Sequence, residues 1–236
     1  MPDESAAGRV TRSLRQRLLS GELKPGEPLS QSRVAAEYGV SRMPVRDALQ
    51  VLASEGLIDL SPTKAVVRDL SIAELQELYE LREAVEPVLT RIAVPNVGRA
   101  QVTRMTMLVE AMEAGQEPAQ WLESNVAFHS LIYTCADRPR MIEFVEHLRR
   151  QTDRYLYLHV GVFGELDHLH HEHRQILEAV RGGDAAATAE LTRTHLATSH
   201  ESILRHLIDH EAAQDQGPGM QHTARASARA AGETRA

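Results

Sequence analysis

The run VSRMPVRDALQVL, Val40 to Leu52, decides how the first part of the chain folds. Val45, Ala48, Leu49 and Leu52 recur at i, i+3, i+4 and i+7, which makes one apolar helix face. Arg42, Met43, Arg46 and Gln50 fall on the other side. Ser41 stands where an N-cap oxygen would accept from an unpaired amide of the first turn. Pro44 lies in that turn, where a missing N–H costs little. A short helix with a buried rear and two outward arginines near its start suits a DNA major groove. An ordinary amphipathic surface helix would look the same in isolation, so the flanks decide.

Upstream, Gln31 to Tyr38 reads as a helix, and Gly39-Val40 as a tight turn into Ser41. Two helices joined by a short glycine-containing turn make a helix-turn-helix. Downstream, Leu57–Leu60 and Ala65–Arg68 read as short strands around Ser61-Pro62-Thr63-Lys64, a β-wing. Further back, Arg9 to Ser20 has helical spacing, and Gly21 can cap its end. Residues 1–8 are small and polar and read as a flexible arm.

With these motifs in place, residues 9–69 resemble the winged-helix domain of the GntR family of bacterial transcription regulators. The resemblance rests on GELKPGEPL (21–29), SRVAAEYGVSRMPVRDALQVLASEGLI (32–58) and Val66-Val67. Residues 70–211 resemble the helical FCD ligand-binding domain of its FadR-like branch, through LYELREAVEP (78–87), NVAFH (125–129), EHRQILEAVRGGD (172–184) and THL (194–196). The resemblance implies a DNA-reading set of Ser41, Arg42, Met43, Pro44 and Arg46. A family arginine at the start of the preceding helix falls on Ser32, with Arg33 beside it. The wing tip carries Thr63-Lys64 where the family usually has glycine, so Lys64 is the expected phosphate contact.

The second part reads as about six helices, giving a mainly α chain. Ser71 and Glu74 form an S-x-x-E capping box after a hinge at Asp69–Ser71. Leu75, Leu78, Val85, Leu89 and Ile92 then form one stripe, interrupted by Arg82. Pro87 would normally kink that helix. Further helices are expected at 97–114, 118–135, 138–160, 165–182 and 184–210. Six helices rather than seven resembles the VanR-type subgroup. Residues 212–236, with Arg225, Arg229 and Arg235, lack large apolar side chains and read as a disordered tail.

Composition fits this division. Residues 1–70 hold ten Lys and Arg against nine Asp and Glu, whereas the remainder holds 16 against 24. The overall charge of -7 therefore sits away from the proposed DNA reader. A single cysteine, Cys135, excludes a disulfide framework and a cysteine-based zinc motif. No signal or membrane-spanning run is present, and the expected location is the cytoplasm.

Twelve histidines are many for this length. In the tract His168, His170, His171 and His173, neighbours point to different sides of a helix. His173 shares a face with Leu169, Ile176, Leu177 and Val180, while His168 and His171 should face away. Asn125 and His129, four apart, can place two ligands on one ion. His195 follows Leu191 by one turn. Each histidine alone is best read as a hydrogen-bonded core residue. Many FCD domains are similar to a pattern of Asp or Asn, a His four residues on, and two later histidines. Here this implies Asn125, His129, His173 and His195 as ligands of a divalent transition metal, zinc first, with nickel or manganese as alternatives. The neutral Asn125 replaces the carboxylate of many relatives.

Arg82 has two readings of equal weight: a partner for Glu86, or an anchor for an anionic effector. FCD ligands are commonly small organic acids, by resemblance. The leading functional reading is a homodimeric, metabolite-responsive repressor that reads an inverted-repeat DNA operator. The alternatives are a metal-dependent enzyme and a direct metal sensor. No nucleotide-binding or nucleophile motif supports an enzyme.

Overall fold

The computed structural model describes residues 5–115, 117–163 and 166–215. Helices α1 (Ala6–Leu19), α2 (Gln31–Tyr38) and α3 (Arg42–Ser54) precede strands β1 (Ile58–Leu60) and β2 (Ala65–Val67). Six helices follow among the described residues: α4 (Ile72–Ala93), α5 (Arg99–Glu113), α6 (Pro118–Tyr133), α7 (Pro139–Phe163), α8 (Asp167–Arg181) and α9 (Ala185–Asp215). The fold is mainly α, a winged helix-turn-helix followed by a helical bundle.

In the winged part, Val10, Leu14, Val34, Val45, Leu49 and Leu52 form the core. α2 ends at Gly39, whose φ of 63° is the left-handed conformation that glycine adopts without a Cβ penalty. β1 and β2 pair antiparallel, Ile58 opposite Val67 and Leu60 opposite Ala65. The segment read from sequence as an extended turn does more than connect. Gly26 donates to the Val67 carbonyl at 2.9 Å and Leu29 to that of Ala65 at 2.8 Å, so it lies along β2 as a third edge.

Two local expectations are corrected. α1 opens at Ala6 rather than Arg9, because the Ser5 hydroxyl accepts from the Gly8 amide at 3.1 Å. That removes residues 5–8 from the expected arm; residues 1–4 lie outside the described residues. α9 runs past His210 to Asp215, into the expected tail, whose remainder with Arg225, Arg229 and Arg235 also lies outside them. Pro87 sits inside α4 without ending it.

The capping box at the hinge is only half formed. Ser71 Oγ accepts from the Glu74 amide at 3.3 Å. The Glu74 carboxylate does not return the bond. It takes Arg68 from the end of the wing at 3.0 Å, Arg154 from α7, and the Tyr155 hydroxyl at 2.8 Å. Tyr155 also accepts from the Ser71 amide at 3.2 Å. Gln151 of α7 packs on Gly56, and Leu122 of α6 joins the winged core. The middle of α7 therefore holds both the linker and the winged domain. No described helix is long and apolar enough to cross a membrane.

Candidate metal centre and nucleic-acid interface

The rear of α3 is fully enclosed: Val45, Ala48, Leu49 and Leu52 are all 0% exposed. This fixes which side faces out. Arg42, Met43 and Arg46 are exposed, with Met43 at 56%, and Pro44 is half-buried. Ser41 occupies the N-cap position but makes no side-chain cap bond, contrary to the sequence expectation. Its hydroxyl stays on the exposed surface. Arg33, Arg42 and Lys64 line one groove of about 440 Å³ between the start of α2, the start of α3 and the wing. Arg33 is held only loosely by Glu27, at 3.5 Å. The wing turn is closed by Ser61, whose Oγ accepts from the Lys64 amide at 3.1 Å.

The second constellation forms inside the bundle. α6 supplies Asn125 and His129 from successive turns, α8 supplies His173, and α9 supplies His195. All four are buried, between 0 and 6% exposed. One ligand nitrogen from each of the three histidines lies within 4.8 Å of the others. His173 Nε2 is 2.9 Å from Asn125 Oδ1 and 3.3 Å from His129 Nε2. Phe128 stands edge-on to both rings at 5.1–5.2 Å between centroids and excludes water from that side. Behind His195, Glu172 Oε2 is 2.7 Å from Nδ1. A carboxylate only accepts, so Nδ1 carries a proton and the contact fixes the orientation of the ring.

Burial, then the nearby Arg149 and neighbouring imidazoles, hold His129 well below the usual histidine range. Burial and His195 do the same for His173. Both rings are therefore neutral, the form from which a metal ligand is made. Ligands on one zinc-sized ion sit about 3–4 Å apart, so the set needs only a small contraction. Three imidazoles, an amide oxygen and an orienting carboxylate fit a borderline divalent ion such as zinc or nickel.

The depressed values set a pH dependence for the metal-free protein. Below about pH 6.5 the unfolded chain binds protons that His129 and His173 refuse in the folded state. Stability is therefore full above that pH and falls as pH drops, by about 1.4 kcal/mol per unit for each ring. The urea midpoint of chelator-treated protein is expected to fall clearly between pH 7.5 and 5.5. A midpoint that holds constant across this range would contradict the buried neutral assignment.

Next to the histidines lies a buried ion network that the sequence reading only partly anticipated. Arg82 Nε donates to Glu86 Oε1 at 2.6 Å, and a second Arg82 nitrogen donates to Thr152 Oγ1 at 3.0 Å. The Tyr133 hydroxyl donates to the other Glu86 oxygen, which Arg149 also approaches at 3.4 Å. Of the two sequence readings of Arg82, the geometry places the guanidinium on Glu86. Arg149 was not singled out from sequence. Its Nε has no partner among the described residues, so it is the less satisfied of two buried cations facing one carboxylate. Glu172 was missed as well. His170 is engaged otherwise, accepting from the Trp121 indole N–H at 3.2 Å.

An exposed arginine-bearing helix on a winged domain, hinged to a bundle with an internal polar centre, is the architecture of a ligand-responsive DNA-binding regulator. Residues 6–67 match the family described as bacterial regulatory proteins, gntR family, and residues 77–198 match the FCD domain. The chain belongs to the GntR family of transcription regulators and carries an FCD domain. It is similar to the HTH-type transcriptional repressor RspR of Escherichia coli (strain K12), 27% identical over 206 residues, 86% of this chain and 90% of that protein. It is also similar to the gluconate operon transcriptional repressor of Bacillus licheniformis, 32% identical over 158 residues, 65% of each chain. Among solved structures, E. coli McbR/YncC has the same fold, with a TM-score of 0.74 at 23% identity, over 87% of this chain and all of that one.

Proposed function

We propose that this regulator is a cytoplasmic, homodimeric repressor that releases its operator in response to a small carboxylate held beside a divalent metal ion. The observation that carries the metal is the convergence of His129, His173 and His195 with Asn125 in one buried pocket. Zinc is the first expectation and nickel or manganese the alternatives. The carboxylate assignment rests on Arg149, whose Nε has no partner among the described residues, with Arg82 on the other side of Glu86. Arg82 is already occupied by Glu86 and Thr152, so Arg149 is the stronger anchor, with Arg82 beside it. RspR is named as a repressor, and the Bacillus relative as repressor of a gluconate operon, which fits repression answered by an organic acid. A single recognition helix touches too few base pairs to select a genomic site, so a two-fold dimer on an inverted repeat is the economical arrangement.

The test measures bound metal and ligand response in folded variants, using thermal shift against a panel of small hydroxy and sugar acids, gluconate included. His195→Ala is expected to lose the ion of this pocket and the response to any acid that stabilises wild type. Arg149→Met is expected to keep the metal and lose that response. Zinc-treated wild type that retains no metal after dialysis would remove the metal from the proposal. Operator affinity that follows metal alone, with no acid contributing, would make the chain a direct metal sensor.

A further inference from the structure

A second histidine cluster stands apart from the one just described. His159 on α7 and His206 on α9 face each other with their Nδ1 atoms 2.8 Å apart. Their ring centroids are 4.8 Å apart, within the 4.7–5.3 Å spread of the central trio. His168, in the first turn of α8, presents its ring to His159 at 6.4 Å and 74°. The sequence pattern placed His168 on an outward face; instead its Nε2 is shielded from solvent and has no hydrogen-bond partner among the described residues. A hydrogen-bonded imidazole pair accounts for His159 and His206 alone. It gives no reason for a third imidazole to be shielded beside them with an unpaired nitrogen, a costly arrangement for a polar atom.

We infer that His159, His206 and His168 form a second site for a zinc-class divalent ion, separate from the central pocket. The three come from α7, α9 and α8, as a clamp across three helices requires. His159 and His206 are the anchors. Their nitrogens need to part only slightly to reach the separation of two ligands on one ion, about 3–4 Å. As the side chains stand, His168 lies too far out, so it joins by swinging inward and shares its Nε2 with the ion. An open fourth position is then left for water. The neighbouring Leu158 and Leu207 line the cleft that also contains Leu70 and Ile72 at the hinge. An ion here would fasten the ends of α7 and α9 next to the linker, at the end of the bundle that meets the winged domain.

The experiment counts zinc on the full-length chain by equilibrium dialysis with a competing chromophoric chelator. It uses metal-free wild type, a His129→Ala/His195→Ala variant that lacks the central site, and the same variant carrying His159→Phe/His206→Phe. The expected result is two tightly held ions on wild type, one on the first variant and none on the second. His168→Ala in the central-site variant is expected to weaken the remaining ion at least tenfold without removing it. Cobalt(II) in place of zinc reports the ligand set directly through its visible absorption, which His206→Ala should abolish in the central-site variant. Circular dichroism on each variant separates ligand loss from unfolding. A central-site variant that retains no zinc would overturn the inference, and so would a remaining ion indifferent to His159→Phe/His206→Phe. The central pocket is scored separately, by the ion lost between wild type and the first variant.

Discussion

Replacing Arg42 and Arg46 together by alanine is expected to abolish specific DNA binding. Both project from the exposed side of α3, whose opposite face is completely enclosed, so neither change touches the core. Residues near the start of a recognition helix reach base edges, and a well-placed arginine discriminates its base by about 1–3 kcal/mol. Arg46→Ala alone should cost that much, and the pair roughly 2–6 kcal/mol if the two contacts are independent. The binding site can be selected from random duplexes with wild-type protein and then titrated by fluorescence anisotropy. Lys64→Ala should behave differently, weakening all sequences alike and lowering the salt slope by about one. A folded double variant with wild-type affinity would mean that another surface reads the operator.

Glu86→Ala is expected to be the most destabilising single change in the bundle. Glu86 is 0% exposed and receives Arg82, Arg149 and the Tyr133 hydroxyl. Its removal strands two buried guanidinium groups, and breaking a buried pair from one side costs about 3–5 kcal/mol. The charges of Arg82 and Arg149 hold the carboxyl below its ordinary range despite burial. Its contribution is therefore present above the unfolded carboxyl pKa of about 4.3 and lost as pH falls further. Replacing the whole network, with Arg82→Met and Arg149→Met added, should recover much of the lost stability because no unpaired charge remains. Urea midpoints of the single and triple variants test this. A single-variant loss under about 1 kcal/mol would mean that water already relieves the charges.

Legibility from sequence followed the range of the interactions. The helix-turn-helix is local: Gly39, the apolar spacing of α3 and the wing turn each act over a few residues, and the expected elements are found there. The inward aim of His173 was equally readable, because one helical period fixes it against Leu169, Ile176 and Leu177. Arg149 and Thr152 were not readable. They lie in a polar stretch of α7 and are buried only because α4 brings Arg82 and Glu86 against them. Ser41 and Glu74 show the same limit from the other side. Their cap motifs are present, but tertiary partners claim Glu74, and Ser41 makes no cap bond at all.

The middle of α7 alternates between two duties along a single helix. Arg149 and Thr152 reach the interior network, whereas Gln151, Arg154 and Tyr155 meet the winged domain and its linker. A rigid helix cannot shift one set without carrying the other. For anyone rebuilding this scaffold as a biosensor, that defines where randomisation belongs. Libraries on α8 vary the pocket while leaving these contacts intact, but libraries on α7 would change recognition and output together.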